Sequence, residues 1–316
     1  MRRGERHRLG RTRIENLERR HRALQALRHF FDDRGFVEVE TPAIVPSPGL
    51  DYHLEAFEVG HTGGPRYLHT SPEYQMKRLL AGGFERIYQI CKAFRRDEQG
   101  TFHNPEFTML EWYRTHAGAC EVMQDTEELI ASIVRRLSGG TTLVGTDGPI
   151  DVAPPFARMT VAQAFARYAD VDVFEVLPDE ERFFRLLIER IEPNLGREQP
   201  VFLTHYPASM ASLARLTPED PRFADRFETY VDGIELSNGF GELVDPAEQR
   251  IRLERDQARR RTDGRAVYPI DERFMAALEE GVPPSGGNAL GVDRLVMLLI
   301  GSRDIADVMT FTTEEV

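Results

Sequence analysis

Three clusters of side chains in this chain have the types and spacing to handle a ligand that carries phosphate, ammonium groups or a metal ion. The first is the run Glu106 to Tyr113. Read as a strand, it alternates its side chains between two faces, so Phe107, Met109, Glu111 and Tyr113 point the same way. A face that mixes an aromatic ring, a carboxylate and a phenol makes a poor core and a good pocket wall, able to stack a base and hold an ammonium group. Arg95 ends the preceding strand, and the loop between carries Arg96, Asp97, Glu98, His103 and Asn104. Taken alone, that loop reads as a solvated hairpin tip.

The second cluster surrounds Asp232-Gly233, the strongest short turn signal in the chain. A two-residue turn there pairs Val231 with Ile234, Tyr230 with Glu235 and Glu228 with Ser237. Glu228 and Glu235 then lie diagonally on one face, ~7–8 Å apart at the backbone. Two such carboxylates repel each other, and a shared Mg²⁺ removes the conflict, since hard cations take oxygen ligands and bridge carboxylate to phosphate. Two solvated glutamates are the other reading the spacing leaves open. Asn238 and Glu242 have the opposite parity to Glu235. They join the same face only if Ser237 to Gly239 is bulged, which a glycine inside a strand often marks. The third cluster is Gly286 to Arg294. Arg294 falls in the first turn of an apolar helix, where the macrodipole disfavours a cation, and a broken local rule points to function. An arginine there can stabilise transferring phosphate oxygens, and the glycines allow close backbone approach to a ligand. A surface pair of Asp293 with Arg294 is the plain alternative.

The elements that must position these groups follow from the pattern. Ile14, Leu17, His21, Leu24, Leu27 and Phe31 recur at helical spacing, with Gly35 as the stop. A strand is predicted over Phe36 to Pro42, with the proline confining it to an edge or an end. A strand near Arg66 to Thr70 leads to a helix with Ser71 as N-cap and Pro72 at its first position. Strands over 86–95 and 106–113 follow, then a mainly helical stretch of about 117–200. The Asp232-Gly233 hairpin, a charged helix at about 247–261, a strand over 286–291 and an apolar helix over 292–300 complete the chain. Long hairpin strands mixed with helices predict an α+β fold with an antiparallel sheet. Neither a G-x-G-x-x-G loop nor a Walker A loop is present.

Composition narrows the class further. A net charge of −12 argues against a protein that mainly grips nucleic acid. No run approaches the ~20 apolar residues of a membrane span. The basic start (Arg2, Arg3, Arg6, Arg8, Arg11 and Arg13) lacks the apolar stretch of a signal peptide and reads as a solvated tail. A cytoplasmic protein without membrane contact is expected. Cys91 and Cys120 have neither metal-ligand spacing nor a disulfide framework. Lysine occurs only at Lys77 and Lys92, so almost every cation is arginine.

In their order along the chain these pieces resemble class II aminoacyl-tRNA synthetases of the lysine type. The first helix and strand with Thr41-Pro42 are similar to motif 1, a dimer-interface element. Phe94-Arg95 with His103 to Glu111 is similar to motif 2, and Gly287 to Arg294 to motif 3. Gly233 to Leu243 is also lysyl-type, and the similarity spans about 14–316. The resemblance implies ATP as substrate with Mg²⁺, and a catalytic core of antiparallel sheet flanked by helices. It implies Arg95 on the α-phosphate and carboxylate, Phe107 stacked on adenine, Asp97 at the adenine edge, and His103 and Arg294 on the outer phosphates. Arg95 and Arg294 would be the catalytic pair, and Glu228 and Glu235 the metal ligands. Ser71, Glu73, Glu111, Tyr113, Asn238, Glu242 and Ala289 would bind the amino acid. The family usually has Glu where this chain has Asp97.

A full lysyl enzyme carries an N-terminal barrel that reads the anticodon, and here about a dozen residues precede the first helix. That resembles the elongation factor P–(R)-β-lysine ligases, paralogues without that barrel. Thr70 to Tyr74, Met109 to Arg114, Tyr206 to Ser209 and Ala289 to Leu295 carry the likeness. Residues 1–13 are then a tail and 14–316 one catalytic domain with a helical insertion at about 117–200. The implied partners are elongation factor P as acceptor, (R)-β-lysine or lysine, and a second copy in a homodimer, with tRNA weighed against. A truncated lysyl-tRNA synthetase and a non-catalytic synthetase-like regulatory module are the alternatives.

Overall fold

A computed structural model describes residues 10–60 and 62–316. Helix α1 (Arg11–Asp32) leads through Gly35, at a left-handed φ of 71°, into β1 (Val37–Glu38). Strands β2 (Ile44–Val45), β3 (Glu58–Val59) and β4 (Arg66–Leu68) make a small separate sheet. Helix α2 (Glu73–Ala81) precedes the long hairpin of β5 (Arg86–Phe94) and β6 (Glu106–Thr115), and α3 (Ala119–Ser138) follows. Next come the hairpin β7 (Thr142–Val144) and β8 (Pro149–Asp151), strand β9 (Ala157–Thr160), and helices α4 (Val161–Ala169), α5 (Val173–Val176) and α6 (Glu180–Leu186). The chain ends with β10 (Val201–Pro207), β11 (Phe223–Val231), β12 (Ile234–Gly241), α7 (Pro246–Thr262), α8 (Glu272–Gly281), β13 (Ser285–Gly291) and α9 (Val292–Ile300).

Eight strands form the main sheet in the order β1-β5-β6-β13-β12-β11-β10-β9. The six central strands pair antiparallel, and only the outermost, β1 and β9, pair parallel with their neighbours. The predicted α+β class with an antiparallel sheet is the one adopted. Its two faces are chemically unlike. On one, Tyr88, Leu110, Trp112, Phe227 and Leu290 pack against α1, α3 and α9 in the largest apolar cluster. The other face is roofed by α2, α7 and α8, where Tyr74 of α2 stacks on Phe274 of α8 at 4.5 Å. Side-chain caps start these helices, Asp245 for α7 and Asp271 for α8.

Asp293 ties the pieces together. It is 2% exposed, and it does not pair with Arg294. Its carboxylate accepts from Arg20 of α1 at 2.5 Å and from the Thr108 backbone of β6 at 2.6 Å. One carboxylate at the start of α9 thus locks the first helix, the second long hairpin strand and the last helix into one frame.

Several sequence expectations need correction. The buried stripe of α1 is Asn16, Ala23, Ala26, Leu27, Phe30 and Phe31, so Ile14 and His21 of the expected stripe face outward. Arg13 does not belong to a tail, because it pairs with Glu315 at 2.7 Å and bonds the Met309 carbonyl. Arg2, Arg3, Arg6 and Arg8 lie outside the described residues. The strand expected over Phe36 to Pro42 shrinks to Val37–Glu38, since only β5 offers it a partner. The stretch of about 117–200 is not simply a helical insertion. Its α3 belongs to the core, and its β9 joins the main sheet.

The Asp232-Gly233 turn forms with both residues at positive φ (54° and 71°), as a primed two-residue turn requires. Asp232 is 3% exposed and accepts from Thr146, from Arg197 at 2.8 Å and from Arg303 at 3.1 Å. Asp232→Ala removes the anion from two arginines and places alanine at a left-handed position. The expected loss is ~2–4 kcal/mol in urea unfolding. A loss below ~0.5 kcal/mol, the ordinary surface range, would show that Gly233 sets the turn alone.

Candidate active site

A single irregularity in β12 builds the site. The pairing runs Val231 with Ile234 and Tyr230 with Glu235, then skips to Thr229 with Ser237. Leu236 is the extra residue, and both Leu236 and Ser237 are buried where strict alternation would expose one of them. Glu228 therefore faces Asn238 and not Ser237 as the uninterrupted hairpin predicts. The bulge lies one residue before the stretch expected from the sequence. Beyond it, parity is reversed, so Glu235, Asn238, Phe240 and Glu242 all line the same cavity. Asn238 also pairs with Ala289 of β13, and Ala289 with Glu111 of β6. Glu228, Asn238, Ala289 and Glu111 thus make one row across four strands.

The cavity over this row has a volume of about 570 Å³. At one end it is cationic. Arg95, just past β5, lies 5.1 Å from the centre of the Phe107 ring and pairs with Glu98 at 3.2 Å. Arg294, in the first turn of α9, donates to the Glu235 carbonyl at 2.7 Å and reaches its carboxylate at 3.3 Å. Its other terminal nitrogen lies 2.7 Å from His103 Nε2. Burial and the neighbouring Arg294 push the His103 pKa down, so the ring is neutral and accepts this bond.

Glu228 and Glu235 stand between the two ends. Glu228 accepts from Tyr206 at 2.5 Å and Tyr230 at 2.7 Å on one oxygen, and from Arg226 at 2.6 Å on the other. Burial and the nearby Glu228 push Glu235 up, against the pull of Arg294. Two carboxylates that disfavour each other's charge, each with acceptor capacity left, fit a hard cation that completes its shell with phosphate and water. Among the described residues no group of three or more His, Cys, Asp or Glu forms a full metal cage. Glu228 and Glu235 could supply two ligands for such an ion, with phosphate and water supplying the others.

The far end is anionic and closed. Glu111 is 1% exposed and accepts from Ser71 at 2.5 Å and from Tyr113 at 2.8 Å. Ser71 also accepts from the Glu73 backbone at 3.1 Å, so it caps α2 from one residue further out than expected. Glu73 and Glu242 both contact Lys77, each at 2.5 Å. Burial, then the charge of Glu73, raises Glu111 to about 7. Burial raises Glu242 to about 8, with Glu73 and Glu111 adding to it and Lys77 opposing. The Oδ1 of Asn238 is buried without a partner. A β-carbon at Gly287 would run into the Tyr113 ring and Glu242, so only glycine lets those two side chains lie there.

Of the sequence candidates, Asp97 alone is not brought to this cavity. Its side chain is 65% exposed and turned to Arg96 at 3.0 Å, while Glu98 lines the cavity beside Arg95. The shorter Asp97 side chain is within reach of Arg96 and solvent, and nothing draws it inward. Sequence reading gave no site role to Lys77, Arg226 or Tyr206, although Tyr206 opens the Tyr206 to Ser209 run that carries the family likeness. Lys77 had one signal, its rarity in a chain that otherwise uses arginine.

An antiparallel sheet carrying an arginine-bearing hairpin, a carboxylate hairpin and a glycine-rich strand ending in an arginine helix defines a class II synthetase catalytic domain. Residues 8–315 match the model of the tRNA synthetases class II (D, K and N). The chain is 43% identical over 312 residues to a protein of Edwardsiella ictaluri, and 42% over 311 residues to one of Salmonella gallinarum. It is 39% identical over 328 residues to one of Klebsiella pneumoniae. Each alignment covers 95% of this chain and 96% of the relative, and each relative is named elongation factor P–(R)-β-lysine ligase. The chain belongs to the class II tRNA synthetase family, on the branch of the elongation factor P–(R)-β-lysine ligases. Among the described residues no helix is long and apolar enough to cross a membrane.

The raised carboxylates make the ligand-free protein pH-sensitive. Glu111 and Glu242 hold protons to about 7 and about 8, against an ordinary 4.5 in the unfolded chain. The folded state therefore binds more protons across that window. The stability this confers is complete below 4.5 and is lost as pH rises through 7 and 8. Melting temperature without ligand should fall between pH 5.5 and 8.5 by on the order of 5 °C. Glu111→Gln should flatten that slope, and an unchanged slope in the variant would remove Glu111 from the account.

Proposed function

We propose that this protein uses ATP to activate (R)-β-lysine, or lysine, as an aminoacyl-adenylate and transfers the acyl group to the ε-amine of a lysine on elongation factor P. The observation that carries the reading is one cavity with a cationic end at Arg95 and Arg294, with the neutral His103 beside them, and a buried anionic end at Glu73, Glu111 and Glu242. A nucleotide suits the first and a diamino acid suits the second. The chain's relatives over nearly their full length bear the corresponding name, and ATP use belongs to the class.

In the first step a carboxylate oxygen of the amino acid attacks the α-phosphorus. The bond to the bridging oxygen breaks, and pyrophosphate leaves. Arg95 holds the carboxylate and the α-phosphate together, which supplies orientation and neutralises the charge between them. Phe107 stacks on the adenine, and the neutral His103 and Arg294 receive the outer phosphates. Glu228 and Glu235 would hold Mg²⁺, which when bound would withdraw charge from those phosphates. Three donors fix Glu228, so its free acceptor site faces one direction. Glu242, Tyr113 and Glu111 take the distal ammonium, and Glu73 and the unpaired Asn238 oxygen take the nearer amino group. In the second step the acceptor amine attacks the acyl carbon, the bond to the phosphate oxygen breaks, and AMP leaves.

The same reading makes the protein a cytoplasmic homodimer. Ile14 on α1, Val37 and Ile44 are exposed by 45%, 48% and 51%, an apolar set on the motif 1 segment suited to a second copy. A net charge of −12 disfavours tRNA as the acceptor.

Three measurements test this reading. Pyrophosphate exchange with (R)-β-lysine should be fast, and elongation factor P should gain one lysyl-type mass. Charging of tRNA-Lys with no mass change on the protein acceptor would overturn the assignment. Glu235→Gln should lower exchange on the order of 100-fold with an unchanged melting curve; near-normal exchange would remove the metal role. Ala289 is the one side chain that β13 puts between Asn238 and Glu111 on the cavity floor. Ala289→Gly should move preference from (R)-β-lysine toward α-lysine by roughly 10–200-fold in the ratio of kcat/KM, the range of a methyl-sized change. A constant ratio would exclude Ala289 as the selector.

A further inference from the structure

Lys77 is the least expected charge in this molecule. It lies on α2, its side chain is 1% exposed, and its ammonium sits 2.5 Å from Glu73 and 2.5 Å from Glu242, whose side chain is equally buried. Of 40 Lys and Arg residues only two are lysine, so the chain does not use lysine for ordinary surface charge. A compact ammonium with three donors can sit between two carboxylates in a closed space. A planar guanidinium needs more room and a fork-shaped partner.

The groups facing this cluster can be counted. From α2 come Glu73 and Lys77, from β6 Glu111 and Tyr113, from β5 Cys91, and from the turn after β12 Glu242. Cys91 is a free thiol pushed up to about 12 by burial and by Glu111, and the phenol of Tyr113 is pushed well up by burial and the carboxylates. Both are neutral. Burial works against the Lys77 ammonium, and Glu242 and Glu73 outweigh it, so its pKa is raised. In the ligand-free protein Glu111 and Glu242 hold protons to about 7 and about 8. Once a ligand's ammonium groups displace those protons, three carboxylates and one fixed ammonium leave two negative charges, the number that two ammonium groups of a diamino acid neutralise.

We propose that Lys77 is the resident counter-ion of the amino-acid pocket, a positioning residue that holds Glu73 and Glu242 apart and sets the pocket's charge to match a diammonium substrate. Without it, three buried carboxylates face one another with no internal cation. Glu111 and Glu242, both held down by Lys77, would then keep their protons to still higher pH, and the substrate would have to displace them there. This rests on the proposed amino-acid activation, and the test separates the two ideas.

The first measurement is the pH profile of kcat/KM for lysine and (R)-β-lysine in pyrophosphate exchange, for wild type, Lys77→Met and Lys77→Arg. Removing a nearby cation raises carboxylate pKa values. The acidic limb in Lys77→Met should therefore move up by about one pH unit or more, with KM for ATP unchanged. Lys77→Arg, which keeps the charge, should leave the limb in place even where the overall rate falls. A limb that stays put in Lys77→Met, with an equal loss at every pH, shows a merely structural residue and overturns the proposal. No exchange by the wild type with either amino acid sinks the activation reading instead. A second measurement needs no variant. With only two lysines, ¹⁵N-lysine labelling gives two side-chain signals in the wild type. One should remain a protected ammonium across pH 6–10 and shift on addition of lysine, while the signal of the half-exposed Lys92 should not respond to lysine. An internal amine that is neutral in this range, or that ignores the ligand, rules the counter-ion role out.

Discussion

The site depends on one extra residue in one strand. A regular hairpin beyond Asp232-Gly233 would place Asn238 and Glu242 on the face that packs against α3, in the largest apolar cluster. Burying a carboxylate there without a partner would cost far more than the bulge does. Leu236 absorbs the mismatch by going into the core beside Val231 and Ile234. After it, every second residue faces the cavity. The strand is thus two half-strands in opposite phase, one carrying Glu235 beside the cationic end and the other carrying Asn238 and Glu242 toward the anionic end. Because β12 is hydrogen-bonded on both sides, to β11 and to β13, the phase change is held by the whole sheet.

The same sheet keeps opposite charges from collapsing onto one another. Arg95 and Arg294 face a buried anionic end within one cavity, yet neither pairs with Glu73, Glu111 or Glu242. Each has a local acceptor instead: Arg95 has Glu98, and Arg294 has the Glu235 carbonyl and the neutral His103. The carboxylates in turn have Ser71, Tyr113 and Lys77. In a low-dielectric cleft, such local pairing keeps the two ends from collapsing onto each other and leaves both open to ligand. Glu228 follows the same rule, since Arg226, Tyr206 and Tyr230 satisfy it within its own strand and the next.

Much of this was legible in the sequence where the period was simple. The face of Phe107, Met109, Glu111 and Tyr113 needed only alternation, and the structure puts all four on the cavity. The Asp232-Gly233 turn needed only two residues with a known preference. What stayed hidden involves the third dimension or a change of phase. A glycine at 239 hinted at irregularity, but the bulge falls at Leu236, which looks like any strand residue. Asp97 sat at the expected place in its loop, and only the position of Arg96 shows where its carboxylate goes. Lys77 was visible as a rare lysine, but its partner Glu242 lies on a strand end that only the fold brings near. In α1 the apolar spacing was right for a helix and only partly right for its buried face, because Leu27 and Phe31 are buried and Leu24 packs against the core while Ile14 and His21 face outward.

The floor of the pocket gives the last constraint. On its cavity face β13 presents Gly287, Ala289 and Gly291 and nothing larger. These positions are not equivalent. At Gly287 a methyl group would displace Tyr113 and Glu242, so glycine is required there for the anionic end to keep its shape. At Gly291 a β-carbon would meet only the aliphatic part of Arg294 at 3.6 Å or more, an ordinary contact, so glycine is merely tolerated. Between them Ala289 is the single side chain on the strand, paired with Asn238 on one flank and Glu111 on the other. Strand pairing fixes those flanks to within a fraction of an ångström, and a methyl on that floor cannot be moved aside by a rotamer change. Depth at this point is therefore set by backbone register. Under the proposed activation, a substrate would adapt by where it places its amino group along the row, which would make the position of that group, more than its charge, the property this floor reads.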